Sequence, residues 1–265
     1  LIGLSLQDRH AALRLAWMPV VLAVGAFVAL RQPLHPAPEG MSLIYEDESA
    51  YNLIQVVEDD NGYRYLLLNE GQGVHSQYHP DDLYYRRTWG FFLAGPYFNE
   101  APYSPEQVER IAVIGLAAGT IARQHDAAYP GLLMDGIEID PGIVNAGQRY
   151  MGMTQPGLNV IVQDGRFALN QLEHTYTMIG IDAYRVPYVP WHLTTVEFFG
   201  EVRDRLAGDG VLIMNVGRTS NDRRLIEVLT STLFEVFPTV HTLDVPNSYN
   251  TILVATMQPT EATNL

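Results

Sequence analysis

The chain has 265 residues, of which 47% are hydrophobic and 17% are charged, so it is long enough to bury a large apolar core. Thirty acidic against 16 basic side chains give a formal charge of −14, which disfavours a nucleic acid partner because phosphate binding depends on basic side chains. Apart from histidine, every basic residue is arginine, and no cysteine occurs, which excludes Schiff-base lysine chemistry, thiolate catalysis and disulfides.

The first element in chain order is an apolar run over residues 15–30, bounded by Arg14 and Arg31. Extended back to Ala11, it reaches about the 20 residues that a membrane-spanning helix needs. The run therefore predicts a transmembrane helix, with a buried helix of a soluble fold as the alternative. Because the chain begins with Leu1, we expect a piece of a longer or processed protein, anchored in a membrane, whose main domain is cytoplasmic.

A Pro-rich stretch follows the apolar run and indicates a stiff linker. Beyond it, Tyr51–Glu58 and Tyr63–Asn69 flank the turn Asp59-Asp-Asn-Gly62, which predicts an antiparallel hairpin because Asn-Gly readily adopts positive φ angles. From Arg110 onward strands alternate with helical segments. The predicted domains are 1–40 (apolar helix and linker), 41–85 (small β-hairpin domain), 86–258 (nucleoside-binding α/β domain) and 259–265 (tail).

The second half of the chain predicts the α/β class, with a doubly wound, mostly parallel sheet of seven strands behind the small antiparallel unit and the N-terminal apolar helix. The predicted strands are Ile111–Ile114, Leu133–Ile139, Asn159–Val162, Met178–Ile181, Val211–Val216, Val240–Leu243 and Thr251–Ala255. Predicted helices between them include Pro141–Tyr150 and Thr195–Leu206, the second ending in Ala207-Gly-Asp-Gly210.

Glycines and acids follow the first four of these strands in order. They are Gly115-Leu-Ala-Ala-Gly119, Glu138, Asp164-Gly165 and Asp182. Ligands of open parallel sheets bind at the carboxyl ends of the strands, where glycines permit close approach and a carboxylate can hold the ribose hydroxyls. An acid–glycine pair can accept from an adenine amino group, and the fourth acid faces the reacting centre. The series predicts a nucleoside site.

Three other interpretations compete with the nucleoside site. Each glycine alone is compatible with a simple turn, and each aspartate with a helix cap. A dinucleotide site is a second alternative, but its loop carries three glycines rather than two. His75 and His79 have a metal-ligand spacing, but Pro80 argues against the helix that would align them, so no metal is predicted.

The order of hairpin unit, Ile-Gly-x-x-x-Gly loop, Glu138-Ile-Asp140, Asp164-Gly165 and Asp182 resembles the spermidine synthase (polyamine aminopropyltransferase) family. That family shares the sheet of the S-adenosylmethionine-dependent methyltransferases. The segment Ile181–Phe199 (IDAYRVPYVPWHLTTVEFF) is similar to the membrane-fused bacterial members. The resemblance implies transfer of an aminopropyl group from decarboxylated S-adenosylmethionine to a small amine. The apolar N-terminal helix predicts that the protein binds the membrane, and a homodimer is a further prediction.

The resemblance also implies a role for each matching position. The cofactor-binding residues would be Asn52, Gly115, Gly119, Glu138, Asp164 and Gly165, with Glu138 at the ribose and Asp164 with Gly165 at the adenine. The substrate-binding residues would be His75, Tyr84, Tyr184 and Arg185, and the catalytic residue Asp182, which takes the proton of the amine.

Three positions depart from the family's pattern. Ala118 and Arg185 stand where the family has acids that hold cationic amines, and His75 stands where it has a glutamine. An unpaired buried charge is costly, so the polyamine half of the site is altered while the nucleoside half is retained. Two alternatives stay open. One is a methyltransferase that uses S-adenosylmethionine itself, and the other is a non-catalytic nucleoside-binding domain fused to a membrane region.

Overall fold

The computed structural model describes residues 17–29, 35–69, 71, 73–83, 86–184 and 189–261. The chain divides into two compact units, residues 1–39 and 40–265. Two positions with predicted substrate roles, Tyr84 and Arg185, lie outside the described residues, so their roles stay predictions.

Helix α1 (Met18–Ala29) is the described helix of the first unit. Within the described ranges, no helix has both the length and the apolar character that crossing a membrane requires. The expected membrane-anchored location is therefore wrong, and the transmembrane helix and membrane partner behind it have no support. Residues 11–16 and residue 30 of that expected span lie outside the described residues.

The second unit begins with a four-stranded antiparallel sheet in chain order. Its strands are β1 (Met41–Glu48), β2 (Leu53–Asp59), β3 (Arg64–Leu68) and β4 (Val74–Tyr78). The hairpin predicted around Asn61-Gly62 joins β2 to β3, and Gly62 adopts a φ of 83° in its turn. This small sheet buries Ile54, Val56 and Leu66. The prediction of a small antiparallel unit is confirmed.

A seven-stranded sheet follows, as predicted. Its strands are β5 (Arg110–Ile114), β6 (Leu133–Glu138), β7 (Leu158–Val162), β8 (Tyr176–Ile181), β9 (Leu206–Gly217), β10 (Thr239–Asp244) and β11 (Asn250–Thr256). Their order in the sheet is β10-β11-β9-β8-β5-β6-β7. The neighbouring strands from β9 through β8, β5 and β6 to β7 are all parallel, whereas β11 is antiparallel to both β9 and β10. The chain winds outward from β5 to β7 and then returns to β8, so the order reverses between β5 and β8. In such sheets, ligands bind in the crevice at that reversal.

The helices that flank this sheet are α2 (Thr120–Ala128), α3 (Pro141–Tyr150), α4 (Gly165–Gln171), α5 (Val196–Arg203) and α6 (Arg224–Phe234). Short 3-10 segments cover Thr88–Phe98, Pro105–Gln107 and Trp191–Leu193. Helix α3 has the predicted bounds, but α5 is shorter than the predicted Thr195–Leu206. Thr195 is its cap, since the side chain accepts from the Phe198 N–H. Leu206 instead pairs with Tyr176 at the start of β9, because burying its side chain in the core outweighs one more helical turn.

The 3-10 segment Thr88–Phe98 packs directly on the large sheet. Phe92 is fully buried over Gly180, where an added Cβ would lie 3.1 Å from the Phe92 ring. Further along the segment, an added Cβ on Gly95 would lie 1.9 Å from Ile213 Cδ1. These close approaches hold the segment against the sheet and fix the position of Trp89 at its start.

We predict that Gly95→Ala lowers the free energy of unfolding, because its methyl group overlaps the Ile213 side chain and overpacking costs about 1–3 kcal/mol. Gly208→Ala is the matched control, since an added Cβ there meets no atom within 4 Å. Urea unfolding followed by circular dichroism measures both variants. Equal stability of the two would contradict the close packing of this segment.

Candidate active site

A cavity of about 1890 Å³ lies at the carboxyl ends of the large sheet's parallel strands. Typical small-molecule sites measure roughly 300–1,000 Å³, so this one has room for two reactants. Eight residues with predicted roles line it, namely Asn52, His75, Gly115, Glu138, Asp164, Gly165, Asp182 and Tyr184. Gly119 has a predicted cofactor role but does not line the cavity.

The glycine loop after β5 lies against the end of β8. Gly115 has a φ of 85°, and a Cβ added there would lie 2.6 Å from the backbone carbonyl carbon and oxygen of Asp182. Because the obstacle is backbone, no side-chain movement can relieve it, and the position requires glycine. The loop therefore brings the ends of β5 and β8 as close together as backbones allow.

The second half of the glycine loop, at residues 118 and 119, makes structural contacts outside the cavity. Gly119 begins α2 with a φ of 83°, and an added Cβ there would meet the Met153 side chain at 2.6 Å. Ala118 is 1% exposed and packs with Ile54 and Ile143, and its N–H donates to Ser76 Oγ over 3.0 Å. Ala118 thus faces the small sheet and is absent from the cavity lining.

Glu138 ends β6 with its carboxylate oriented by two backbone donors. Oε2 accepts from the Ala117 N–H at 2.9 Å and Oε1 from the Asp140 N–H at 3.1 Å. Burial raises the pKa of Glu138 above its ordinary value, while these hydrogen bonds act in the opposite direction. Each oxygen keeps lone-pair capacity for a further donor, as a diol-binding carboxylate requires.

Asp140 joins the small sheet to the large one. Its Oδ1 caps α3 by accepting from the Gly142 N–H, and its Oδ2 accepts from Ser49 Oγ at 2.6 Å and Asn52 Nδ2 at 2.9 Å. The Asn52 side-chain oxygen in turn accepts from Asn69 Nδ2 at 2.8 Å. The amide of Asn52 is thereby fixed at the wall of the cavity, held by hydrogen bonds from both sheets.

Asp164 combines a structural contact with a place in the cavity lining. Its Oδ1 accepts from the Phe167 N–H at 3.0 Å and so caps α4, while Oδ2 lies 3.0 Å from His192 Nε2. A Cβ added to Gly165 would lie 2.4 Å from Ile114 Cγ2, so the glycine lets α4 begin directly beside β5. The helix-cap interpretation of this aspartate is thus correct without removing the residue from the site.

Asp182 follows β8 and contacts two uncharged donors. Its Oδ2 accepts from Trp89 Nε1 at 3.1 Å and its Oδ1 from Asn215 Nδ2 at 2.8 Å. Burial raises the pKa of Asp182 to about 6, and the two hydrogen bonds partly oppose that rise. A carboxylate with such a pKa is ionised at pH 7 and is poised to accept a proton.

Two predicted substrate residues line the same cavity as this carboxylate. The Tyr184 hydroxyl donates to the Asn215 carbonyl oxygen at 3.0 Å and accepts from the Gly217 N–H, and burial raises its pKa. His75 lies on β4, where burial lowers its pKa and favours the neutral ring at pH 7.

Sequence reasoning missed Trp89, Asn215 and His192, which all line the cavity. Asn215 follows the same strand-end pattern as the acids, since it lies near the end of β9 and could have been found by it. His192 stands in the segment that carried the family resemblance. Among the described residues, no group of three or more histidines, cysteines or acids is arranged to hold a metal ion.

Comparison with known proteins identifies relatives of this chain. Residues 104–264 match the spermine/spermidine synthase domain. A probable polyamine aminopropyl transferase from Bifidobacterium longum is 32% identical over 81% of this chain and 47% of its own length. A polyamine aminopropyltransferase from Vibrio vulnificus is 31% identical over 90% of this chain and 79% of its own length. This chain thus spans about half the length of the first relative.

The fold is also that of a solved structure. A probable spermidine synthase from Corynebacterium glutamicum superposes with a TM-score of 0.69 and 20% sequence identity. The match covers 88% of this chain and 84% of that one.

The raised pKa of Asp182 predicts a pH-dependent stability difference between the wild type and Asp182→Asn. The folded value is about 6 and the ordinary value is 3.8, so folding favours the protonated carboxyl. The stabilisation that comes from this protonated carboxyl is fully present below the ordinary pKa and is lost as the pH rises through the folded value. Between about pH 4 and about pH 7, the free energy of unfolding of the wild type should therefore fall relative to that of the variant. Urea titrations at several pH values measure this difference, in which the other carboxyl groups cancel. A difference that is flat or rises with pH would contradict it.

Proposed function

We propose that this chain, which belongs to the spermine/spermidine synthase family, transfers an aminopropyl group from decarboxylated S-adenosylmethionine to a small amine. The proposal rests on the family match over residues 104–264 and on the two relatives named as polyamine aminopropyltransferases. The single observation that carries it is that the strand-end acids Glu138, Asp164 and Asp182 line one cavity. The possible homodimer stays a prediction.

The nucleoside half of the proposed site lies along β5, β6 and β7. Glu138 would accept from the ribose hydroxyls, since its two oxygens are already oriented by backbone donors. Asp164 and Gly165 would receive the adenine, with the carboxylate accepting from the amino group. Gly115 keeps the loop free of side-chain atoms where the sulfonium part of the molecule would pass towards Asp182.

The reaction is an in-line displacement at carbon. The lone pair of the amine attacks the methylene carbon bonded to the sulfonium, a C–N bond forms, and the C–S bond breaks. Its electron pair goes to sulfur, and methylthioadenosine leaves as a neutral thioether. An alkylamine has a pKa of about 10 and is protonated at pH 7, so a base must remove a proton. Asp182 is the proposed base, because it is ionised at pH 7 and lines the part of the cavity that the nucleoside would leave free for the amine.

The surroundings of Ala118 are relevant to the predicted change in the part of the site that would bind the polyamine. Its side chain packs with residues of the small sheet, and neither that side chain nor its N–H reaches the cavity lining. Replacing an acid at this position by alanine is thus compatible with the packed environment that surrounds it. The acceptor amine would depend on Asp182, with His75 and Tyr184 as neighbouring groups in the lining.

Incubating the protein with decarboxylated S-adenosylmethionine and putrescine should yield methylthioadenosine and spermidine, measured by chromatography. Asp182→Asn should reduce kcat by about 100-fold or more, the usual contribution of a general base. Glu138→Gln should raise KM for the nucleoside by about tenfold or more, because a charged hydrogen-bond acceptor is lost. Glu173→Gln is the control, since this exposed carboxylate does not line the cavity.

Two results would reject the proposal. One is the absence of any product with putrescine and other small amines under conditions in which the protein is folded. The other is calorimetric binding of S-adenosylmethionine in preference to its decarboxylated form, which would favour the methyltransferase alternative. Turnover that is lost in Asp182→Asn would exclude the non-catalytic alternative.

A further inference from the structure

We infer that Trp89 and Asn215 are positioning residues, which hold the Asp182 carboxylate in the orientation in which it takes the proton of the acceptor amine. The inference rests on the proposed function, because it concerns the same carboxylate. It adds two side chains to which the sequence analysis assigned no role.

The geometry fixes both oxygens of the carboxylate. Trp89 Nε1 donates to one oxygen at 3.1 Å and Asn215 Nδ2 donates to the other at 2.8 Å. The two donors come from different elements, since Trp89 lies in the 3-10 segment Thr88–Phe98 and Asn215 lies in β9. Two donors on two oxygens determine the rotation of a planar carboxylate, and each oxygen keeps a lone pair for a substrate.

Both donors are themselves held in place. Asn215 Oδ1 accepts from Asn250 Nδ2 at 2.9 Å, which directs the Asn215 amide nitrogen towards Asp182. Asn250 Oδ1 accepts in turn from Ser248 Oγ at 2.7 Å. The Trp89 side chain is 8% exposed and belongs to the same buried cluster as Phe92. The Asp182 carboxylate is therefore held by a chain of hydrogen-bonded side chains on one side and by a buried indole on the other, and not by mobile surface groups.

The absence of charge on both donors matters for the chemistry. A cationic partner would lower the pKa of Asp182 and weaken it as a base, whereas neutral donors orient it with a smaller effect. The cavity lining also holds other charged and titratable side chains, namely Glu138, Asp164, Asp222, Arg86, Arg87, Arg218, Arg224, His75, His192, Tyr51, Tyr184 and Tyr249. None of them sets the pKa of Asp182, which burial raises and the two neutral donors lower.

Trp89→Phe tests the inference, because it keeps an aromatic ring and removes the N–H donor. Losing a hydrogen bond to the ionised carboxylate should shift the acidic limb of the kcat–pH profile upward by about one pH unit. We expect kcat to fall about fivefold at pH 6 and about tenfold below pH 5, and to approach the wild-type value above pH 8, with little change in KM for the nucleoside. Asn215→Asp, which replaces the donor by a second carboxylate, should shift the limb further in the same direction.

Trp17→Phe is the matched control. It makes the same substitution at an exposed tryptophan that does not line the cavity, so the acidic limb should keep the wild-type midpoint. An unshifted limb in Trp89→Phe, or an equal shift in Trp17→Phe, would overturn the inference.

A second measurement needs no turnover and so separates this inference from the proposed function. The chain has three tryptophans, and the indole N–H resonance of Trp89 can be assigned by its loss in Trp89→Phe. That resonance should titrate with a midpoint of about 6 in the wild type, where Asp182 ionises, and should not titrate there in Asp182→Asn. If the protein lacks transferase activity but the resonance behaves this way, the hydrogen bond stands and the proposed reaction fails. A resonance that titrates identically in both proteins would contradict the contact.

Discussion

The contact between Gly115 and the backbone of Asp182 is the constraint on which the site depends. With an added Cβ only 2.6 Å from that backbone, the loop after β5 and the end of β8 can approach this closely only because residue 115 has no side chain. The approach occurs where the strand order reverses, so the crevice at the reversal is bounded by glycine on one side and by Asp182 on the other. A larger residue would have to separate the two strand ends and move the carboxylate.

Several polar residues around that contact both stabilise the fold and line or border the cavity. Asp140 caps α3 and accepts hydrogen bonds from Ser49 and Asn52, which lie in the turn between β1 and β2. These contacts link the small sheet to the large one at the wall of the site. Asp164 caps α4 while lining the cavity. Fixing these carboxylates by the fold itself reduces the entropy lost when a ligand binds, which is the physical meaning of preorganisation.

Much of this arrangement follows from the sequence, because its causes are local. Apolar runs followed by glycine or acid identify β5, β6, β7 and β8 with their ends, and Asn61-Gly62 identifies the hairpin. Other features depend on contacts distant in sequence. Trp89 and Asn215 lie 93 and 33 residues from the aspartate they contact, and no short motif connects them to it. The end of α5 was predicted too late because the burial of Leu206 in β9 is a tertiary effect. The apolar run at residues 15–30 suggested a membrane span because hydrophobic composition alone does not separate a spanning helix from other apolar helices.

A crystal structure of the protein with methylthioadenosine tests most directly whether the strand-end acids form a nucleoside site. The account predicts that Glu138 contacts both ribose hydroxyls, that Asp164 and Gly165 border the adenine, and that the sulfur faces Asp182 across Gly115. Methylthioadenosine bound elsewhere, or bound in this cavity without contacting Glu138, would contradict it.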